Sequence, residues 1–290
     1  MSENNIKLIE CPRDAMQGIK TFIPTETKVK YLNSLLKVGF DTIDFGSFVS
    51  PKAIPQLVDT AEVLNQLDLS STSSKLLAII ANQRGAADAC NFEEIEYLGF
   101  PFSISETFQQ RNTNSSIEES LGRVGDIQNL CEKHGKTMVV YISMAFGNPY
   151  GDIWNAEIAI NWTDKLANEI GIKVIALADT TGVSNPENIS ELFSNIIPAF
   201  SNVEIGAHLH TTPDTWEEKI QAAVQSGCTR FDSAIKGYGG CPMAADDLTG
   251  NMPSENILSY FSKNGLNTGV ESSNFENSMR IADQLFNSYH

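Results

Sequence analysis

Four things are scarce in this sequence, and each shortage removes a class of explanation. Long apolar runs are missing. The longest purely apolar stretch is residues 76–81, far short of the roughly 20 residues that a membrane-spanning helix needs. Positive charge is low: Lys and Arg total 20 against 36 Asp and Glu, a formal charge of −16. An acidic surface repels phosphate backbones and anionic bilayers, so neither nucleic acid nor a membrane is expected as a partner. An anionic small ligand would need a local basic patch. Cysteine is sparse and unpaired. Cys11, Cys90, Cys131, Cys228 and Cys241 are odd in number and lack metal-finger spacing, which argues against a disulfide framework or a structural zinc and for a reducing compartment. Targeting signals are missing too. The opening M-S-E-N-N-I-K has no apolar segment and no arginine-rich leader, and the closing N-S-Y-H is no sorting signal. A cytoplasmic protein is the expectation.

What is present is a rhythm. Hydrophobic residues make up 41% of the 290, enough for a sizeable core. Short apolar runs at 6–11, 42–45, 75–81, 95–104, 137–143, 174–177, 203–209 and 230–235 read as strands. Several are apolar at most positions, as strands covered on both faces should be. Helical periodicity fills 26–38, 51–66, 116–134, 156–170, 185–197 and 213–226. Ser116 with Glu119 and Ser184 with Glu187 fit capping boxes. Gly39, Gly135, Gly171 and Gly227 fall where helices should stop. Eight strands alternating with helices predict a (β/α)8 TIM barrel spanning 1–290 as a single domain, with one or two extra C-terminal helices after Asn251. A doubly wound open sheet is the alternative. In the barrel, active-site residues come from the C-terminal ends of strands.

The chemically suggestive residues sit at those ends. Strand one runs into Cys11-Pro12-Arg13-Asp14, where an Arg–Asp pair at a barrel rim either pairs with neighbours or offers a hard oxygen ligand and an oxyanion stabiliser. Asp44 is an acid inside an apolar run, costly unless paired or used. Asp179-Thr180-Thr181-Gly182 ends strand six, where a capping aspartate is the plain reading. Val203 to His210 reads V-E-I-G-A-H-L-H and holds two of the chain's four histidines. In a strand, His208 and His210 would point to the same side, either as metal ligands or as ordinary strand-end side chains. After strand eight, Gly237-Tyr238-Gly239-Gly240-Cys241-Pro242 is a loop, with Gly250-Asn251 beyond it. A glycine-flanked thiol there is either inert or an accessible proton donor. Asp14, His208, His210 and Asn251 together make an oxygen and nitrogen donor set suited to Mg²⁺ or Mn²⁺.

This combination resembles the 3-hydroxy-3-methylglutaryl-CoA lyase family of metal-dependent TIM-barrel lyases. The resemblance covers nearly the whole chain. It rests on P-R-D-x-x-Q at 12–17, S-F-V-S-P-K at 47–52, S-E-x-F at 105–108, S-I-E-E-S at 116–120 and Y-I-S-M-A-F-G-N-P-Y at 141–150. D-T-T-G at 179–182, H-L-H at 208–210 and the G-x-G-G-C-P loop complete it. It implies retro-Claisen cleavage of 3-hydroxy-3-methylglutaryl-CoA to acetyl-CoA and acetoacetate, as in leucine degradation and ketone-body formation. By position it implies Asp14, His208, His210 and Asn251 as metal ligands, Arg13 as stabiliser of the thioester enolate, and Cys241 as the proton-handling thiol. Asp44 stands where the family has an acid/base glutamate. Gln17, Lys20, Asp179 and Thr180 fall at substrate-binding positions, Lys20 near the CoA phosphates. A homodimer through the outer helices is the implied assembly. The chain departs from the family at Ala15-Met16 for Gly-Leu, Asp44 for glutamate, Thr211 for aspartate, and Asp246 and Asp247 for small residues. Alternative readings are a relative acting on another acyl-CoA, a Claisen-condensing synthase of the isopropylmalate or homocitrate type, and a catalytically silent barrel. The lack of a long C-terminal regulatory region and the cysteine loop weigh against the synthase.

Overall fold

The computed structural model describes residues 6–240 and 249–289. Eight parallel strands close into a barrel: β1 (Lys7–Glu10), β2 (Thr42–Ser47), β3 (Lys75–Ile79), β4 (Ile95–Ser103), β5 (Thr137–Ser143), β6 (Val174–Ala178), β7 (Glu204–His208) and β9 (Arg230–Ser233). β9 returns to β1, with Lys7 opposite Arg230 and Glu10 opposite Ser233. Two short strands, β8 (His210–Thr211) and β10 (Gly250–Asn251), pair antiparallel above the rim. The strand expected over 203–209 is therefore cut at His208, and His210 belongs to a second, smaller sheet.

Helices surround the barrel. α1 (Pro12–Gln17) and α2 (Thr25–Leu35) follow β1, α3 (Thr60–Leu64) follows β2, α4 (Gln83–Ala89) follows β3, and α5 (Glu106–Thr113) and α6 (Ile117–His134) follow β4. After β5 comes α7 (Ala156–Asp164), which runs on as a π-type segment to Ile170. α8 (Pro186–Ala199), α9 (Trp216–Gln225) and α10 (Ser254–Lys263) follow β6, β7 and β9, and α11 (Ser272–Tyr289) is additional. This is the expected (β/α)8 barrel with its extra C-terminal helix. Among the described residues no helix is long and apolar enough to cross a membrane.

Local chemistry explains where expectation and structure part. Ser116 and Glu119 do form the capping box of α6. At α8 the box is Asn185 with Asn188, not Ser184 with Glu187. Pro186 fills the first helical position, where a missing N–H costs nothing, and that fixes Asn185 as the cap. The helix expected over 51–66 is broken into a turn, a 3₁₀ segment Pro55–Leu57 and α3. Pro55 disfavours a helical conformation at Ile54, whose φ of −131° and ψ of 77° are not helical. The short helices α1, α4 and α5 lack the length that periodicity detects.

The core has two layers. Outward-facing strand residues such as Leu8, Ile43, Phe100, Val140, Ile175 and Phe231 pack under the helices. Leu77, Ile79, Tyr97, Val139, Tyr141, Val174 and Ala176 fill the barrel itself. The barrel floor is ionic: Lys7 bonds Glu204, and Arg230 Nη1 donates to Glu204 Oε1 at 3.0 Å. Arg230 lies across the interior because Gly206 leaves room; a Cβ there would sit 3.0 Å from Arg230 Cδ. α11 packs against α2 through Tyr31 and Phe286, with ring centroids 6.1 Å apart edge to face. Phe286 also stacks on Tyr238 at 4.1 Å, so the extra helix braces the stem of the loop after β9.

Candidate active site

The site is assembled at the C-terminal rim. β1 ends at Glu10, and Pro12 starts α1 within two residues. That abrupt turn brings Arg13 and Asp14 over the barrel mouth, where both are buried. Asp14 Oδ1 accepts from Arg13 Nη1 at 2.9 Å and from Gln17 Nε2 at 2.6 Å. Its Oδ2 accepts from Asn251 Nδ2 at 2.6 Å. Burial pushes the Asp14 carboxyl up, but the Arg13 and His208 charges and the Asn251 hydrogen bond outweigh it and hold it down at about 2. The site therefore keeps a carboxylate at any working pH.

Arg13 is held from behind. Its Nε lies 3.2 and 3.0 Å from the two Asp44 oxygens, and its Nη2 donates to Asp44 Oδ2 at 2.6 Å. Burial would weaken the guanidinium's hold on its proton, but Asp44 and Asp14 reverse that and raise its pKa. Asp44 is 1% exposed and is pushed up to about 6, burial outweighing Arg13. A register shift in β2 between Asp44 and Gly46 re-aims this residue. Asp44 fixes Arg13 and does not line the cavity above.

The histidines approach from the opposite side. His208 Nδ1 faces Asp232 Oδ2 at 3.0 Å, and His210 Nδ1 faces the Thr180 carbonyl at 3.0 Å. Each ring is thus oriented by its Nδ1, which turns Nε2 towards Asp14, the arrangement that second partners give metal-binding histidines. Ligand atoms of Asp14, His208 and His210 lie within 4.8 Å of one another. His210 Nε2 is buried without a partner among the described residues. Asn251 reaches the group because β10 pairs with β8, Asn251 opposite His210. Its Nδ2 also donates to the Tyr238 carbonyl at 2.9 Å. Gly239, at φ +85°, passes so close that a Cβ would lie 2.6 Å from the Asp14 carbonyl. An orphaned imidazole nitrogen and an ionised carboxylate around one point, with the Asn251 amide beside them, fit a hard divalent cation. Burial, then the His208 charge, lowers His210 to about 4, so it is a neutral donor there. His208 is raised by Asp232 against the effect of burial.

Above these groups is a cavity of about 370 Å³. Arg13, Gln17, Ser143, Thr180, His208 and His210 supply its polar wall, and Val49, Ile54, Ile79, Pro101 and Phe108 its apolar one. Gln17 lines it while bonding Arg13 and Asp14. Thr180 lines it too, its hydroxyl accepting from the Met144 N–H at 2.9 Å.

Asp179 departs from its expected contact with substrate. Its oxygens are taken by the Ser184 hydroxyl and N–H and by Lys219 Nζ at 2.8 Å, and it is 1% exposed. Lys219 also donates to the His210 carbonyl at 2.8 Å, so this buried pair holds the backbone of a ligand. Lys20 stands exposed outside the cavity lining. Cys241, Asp246 and Asp247 lie outside the described residues. Asp232 and Lys219 escaped the sequence reading. Asp232 carried the signal that marked Asp44, an acid inside an apolar strand. Lys219 carried none, lying on a helix beside Glu217 and Glu218.

Comparison with known proteins gives the family and the fold. The profile of the HMGL-like family matches residues 5–282. A hydroxymethylglutaryl-CoA lyase of Bacillus subtilis is 33% identical over 260 residues, 90% of this chain and 86% of that protein. A cytoplasmic 3-hydroxy-3-methylglutaryl-CoA lyase of Rattus norvegicus is 32% identical over 92% of this chain and 77% of its own length. Among solved structures, an HMG-CoA lyase from Acinetobacter baumannii, in complex with coenzyme A and 3-methylmalate, superposes with a TM-score of 0.91. It is 27% identical and covers 99% of this chain and 93% of its own. The Bacillus subtilis HMG-CoA lyase structure gives 0.90 at 30% identity, over 97% of this chain and 93% of that one.

Proposed function

The chain belongs to the HMGL-like family, and from that membership together with the rim geometry we propose that it cleaves 3-hydroxy-3-methylglutaryl-CoA to acetyl-CoA and acetoacetate. The observation that carries this reading is the partnerless His210 Nε2, gathered with Asp14 and His208 beside a fixed arginine at the mouth of a cavity. Asp14, His208, His210 and Asn251 would hold the divalent cation, Mg²⁺ or Mn²⁺, which when bound supplies Lewis acidity to the substrate's tertiary alcohol oxygen.

The chain's own residues do the rest. The Cα–Cβ bond of the thioester breaks as the alcohol loses its proton to solvent, the bond's electrons pass to the thioester as an enolate, and the alcohol carbon becomes the ketone of acetoacetate. Arg13 meets that charge where it develops. Four of its five N–H groups are committed to Asp44, Asp14 and Gln17, which leaves one on Nη2 for the enolate oxygen. Asp44 removes the freedom of that guanidinium before substrate arrives, so positioning costs nothing during reaction. The apolar wall of Val49, Ile54, Ile79 and Phe108 keeps water from the carbanion. Cys241, on the loop whose stems end at Gly240 and Gly250, is the group for the final protonation at carbon, completing acetyl-CoA.

Incubating the protein with Mg²⁺ and 3-hydroxy-3-methylglutaryl-CoA should yield acetoacetate and acetyl-CoA in equal amounts. No acetoacetate above background removes the reading. Consumption of acetyl-CoA with a keto acid would assign a condensing enzyme instead.

A further inference from the structure

We infer that Cys11, His208 and Asp232 form a second cation site one layer below the first, suited to a soft divalent ion of the zinc class. Three adjacent strands supply it: Cys11 follows β1, His208 ends β7, and Asp232 lies in β9 between them in the barrel order. Their ligand atoms lie within 4.8 Å of one another. Asp232 is 3% exposed, and its Oδ1 has no partner among the described residues. Tyr141 packs edge-on to the His208 ring at 5.7 Å, and its buried hydroxyl has no partner either. Cys11 is buried and free. The polar groups of this pocket therefore outnumber the bonds made inside it.

The donor chemistry separates the two sites. The outer set is carboxylate, two imidazoles and an amide, with no sulfur, and suits Mg²⁺ or Mn²⁺. The inner set adds a thiol, which hard ions avoid and zinc prefers. His208 belongs to both, offering Nε2 outward and Nδ1 inward. It also lines the cavity, so an ion reaches the inner site by way of the outer one. Coordination forms bonds from the metal to Sγ, Nδ1 and an Asp232 oxygen, and the thiol and Nδ1 protons leave to solvent. No redox partner is involved. Loading the inner site replaces the His208–Asp232 hydrogen bond with metal bonds and puts a second divalent charge one imidazole ring away from the outer ion, whose hold is weakened by the repulsion. A zinc-class ion is therefore an inhibitor that excess Mg²⁺ weakens only by the same factor and does not compete off, because the two ions use different donors.

The test uses the full chain with Mg²⁺ present, and it needs no turnover, so it stands apart from the lyase reading. In a Cys241→Ser protein, which removes the loop thiol, added Co²⁺ should give a thiolate-to-cobalt charge-transfer absorption. Adding Cys11→Ser, or Cys11→Ala in its place, should abolish it. A band absent from the first protein, or one that survives the second change, overturns the site. Separately, one equivalent of Zn²⁺ should weaken Mn²⁺ binding, read by water-proton relaxation, by tenfold or more in the protein with Cys11. It should change little in Cys11→Ser, whose zinc-free Mn²⁺ affinity shows that the outer site is intact. Equal weakening in both would put zinc in the outer site and defeat the inference.

Discussion

At the scale of single residues, Arg13 and His210 divide the work, and each can be tested apart from the other. His210 Nε2 is buried and partnerless, a state that costs a few kcal/mol unless something binds it. His210→Ala should therefore weaken Mn²⁺ binding by about a hundredfold or more, since loss of a mere orienting partner already costs 10–100-fold. An unaltered affinity in a calorimetric titration would undo its assignment as a ligand. Asp44 has both oxygens on Arg13 and no place in the cavity wall. It holds the arginine rather than exchanging protons with substrate. Asp44→Asn should cost roughly tenfold to a hundredfold in kcat/KM through misplacement of Arg13. The acid limb of the pH profile should remain. Its disappearance would assign proton transfer to Asp44, whose carboxyl, pushed up to about 6, would then be the titrating group.

At the scale of elements, the loop after β9 is gripped at both stems by one side chain of β1. Glu10 Oε1 accepts from the Ile235 N–H at 2.8 Å, and Oε2 meets the Ser254 hydroxyl at the start of α10. Burial lifts this carboxyl from its ordinary 4.5 to about 8, against hydrogen bonds that pull it down. The protonated form is satisfied by the relay already in place. Glu10 donates to Ser254, Ser254 to Ser233 at 2.9 Å, and Ser233 to the Ile9 carbonyl at 3.3 Å. An acid raised on folding stabilises the native state fully below its unfolded pKa, and that contribution is lost as pH rises through the folded one. Stability should thus fall between pH 4.5 and about 8. Glu10→Gln keeps the relay without the charge. It should raise the melting temperature by a few degrees at pH 8.5 and leave it nearly unchanged at pH 4.5, at about 2–4 °C per kcal/mol for a large domain. Equal effects at both values in scanning calorimetry would show that Glu10 does not titrate there. Glu10 carried the signal that marked Asp44, an acid in an apolar strand, but nothing in the sequence showed that its partners would be the two stems of this loop. The same limit runs through the fold. All eight barrel strands were legible, since buried parallel strands are apolar on both faces, as Val139 to Ile142 show. The short α1, α4 and α5 were not, since seven or so residues make too few turns to print a period. Asp14, His208 and His210 were legible because strand ends are where this barrel puts chemistry. Lys219 was not, because its partners Asp179 and the His210 carbonyl are brought to it only by closure of the barrel; Asp232 carried the same signal as Asp44, but its pairing with His208 did not show.

At the scale of the whole molecule, the cation should matter to chemistry far more than to folding. The barrel rests on two apolar layers that run from the floor to the rim, and its floor is closed by Lys7, Glu204 and Arg230 on the side opposite the ligands. The ligands lie only at the rim, and in this structure Asp14 is already bonded to Arg13, Gln17 and Asn251. A domain in which the metal makes the core unfolds when it is stripped; here the ligand cluster is held by protein bonds. Chelation should abolish lyase turnover while the far-ultraviolet circular dichroism stays unchanged. Restoring Mn²⁺ to a hundred times its dissociation constant should stabilise the fold by about 2.7 kcal/mol, the mass-action value for one site. At this chain length that is a rise of roughly 5 °C in melting temperature. A chelated protein that loses its helical signal would mean that the rim cluster nucleates the fold. No shift on adding Mn²⁺ would mean that the four rim residues do not bind it. A rise near 5 °C with unchanged secondary structure would place the ion where the geometry puts it, on a barrel that is already built.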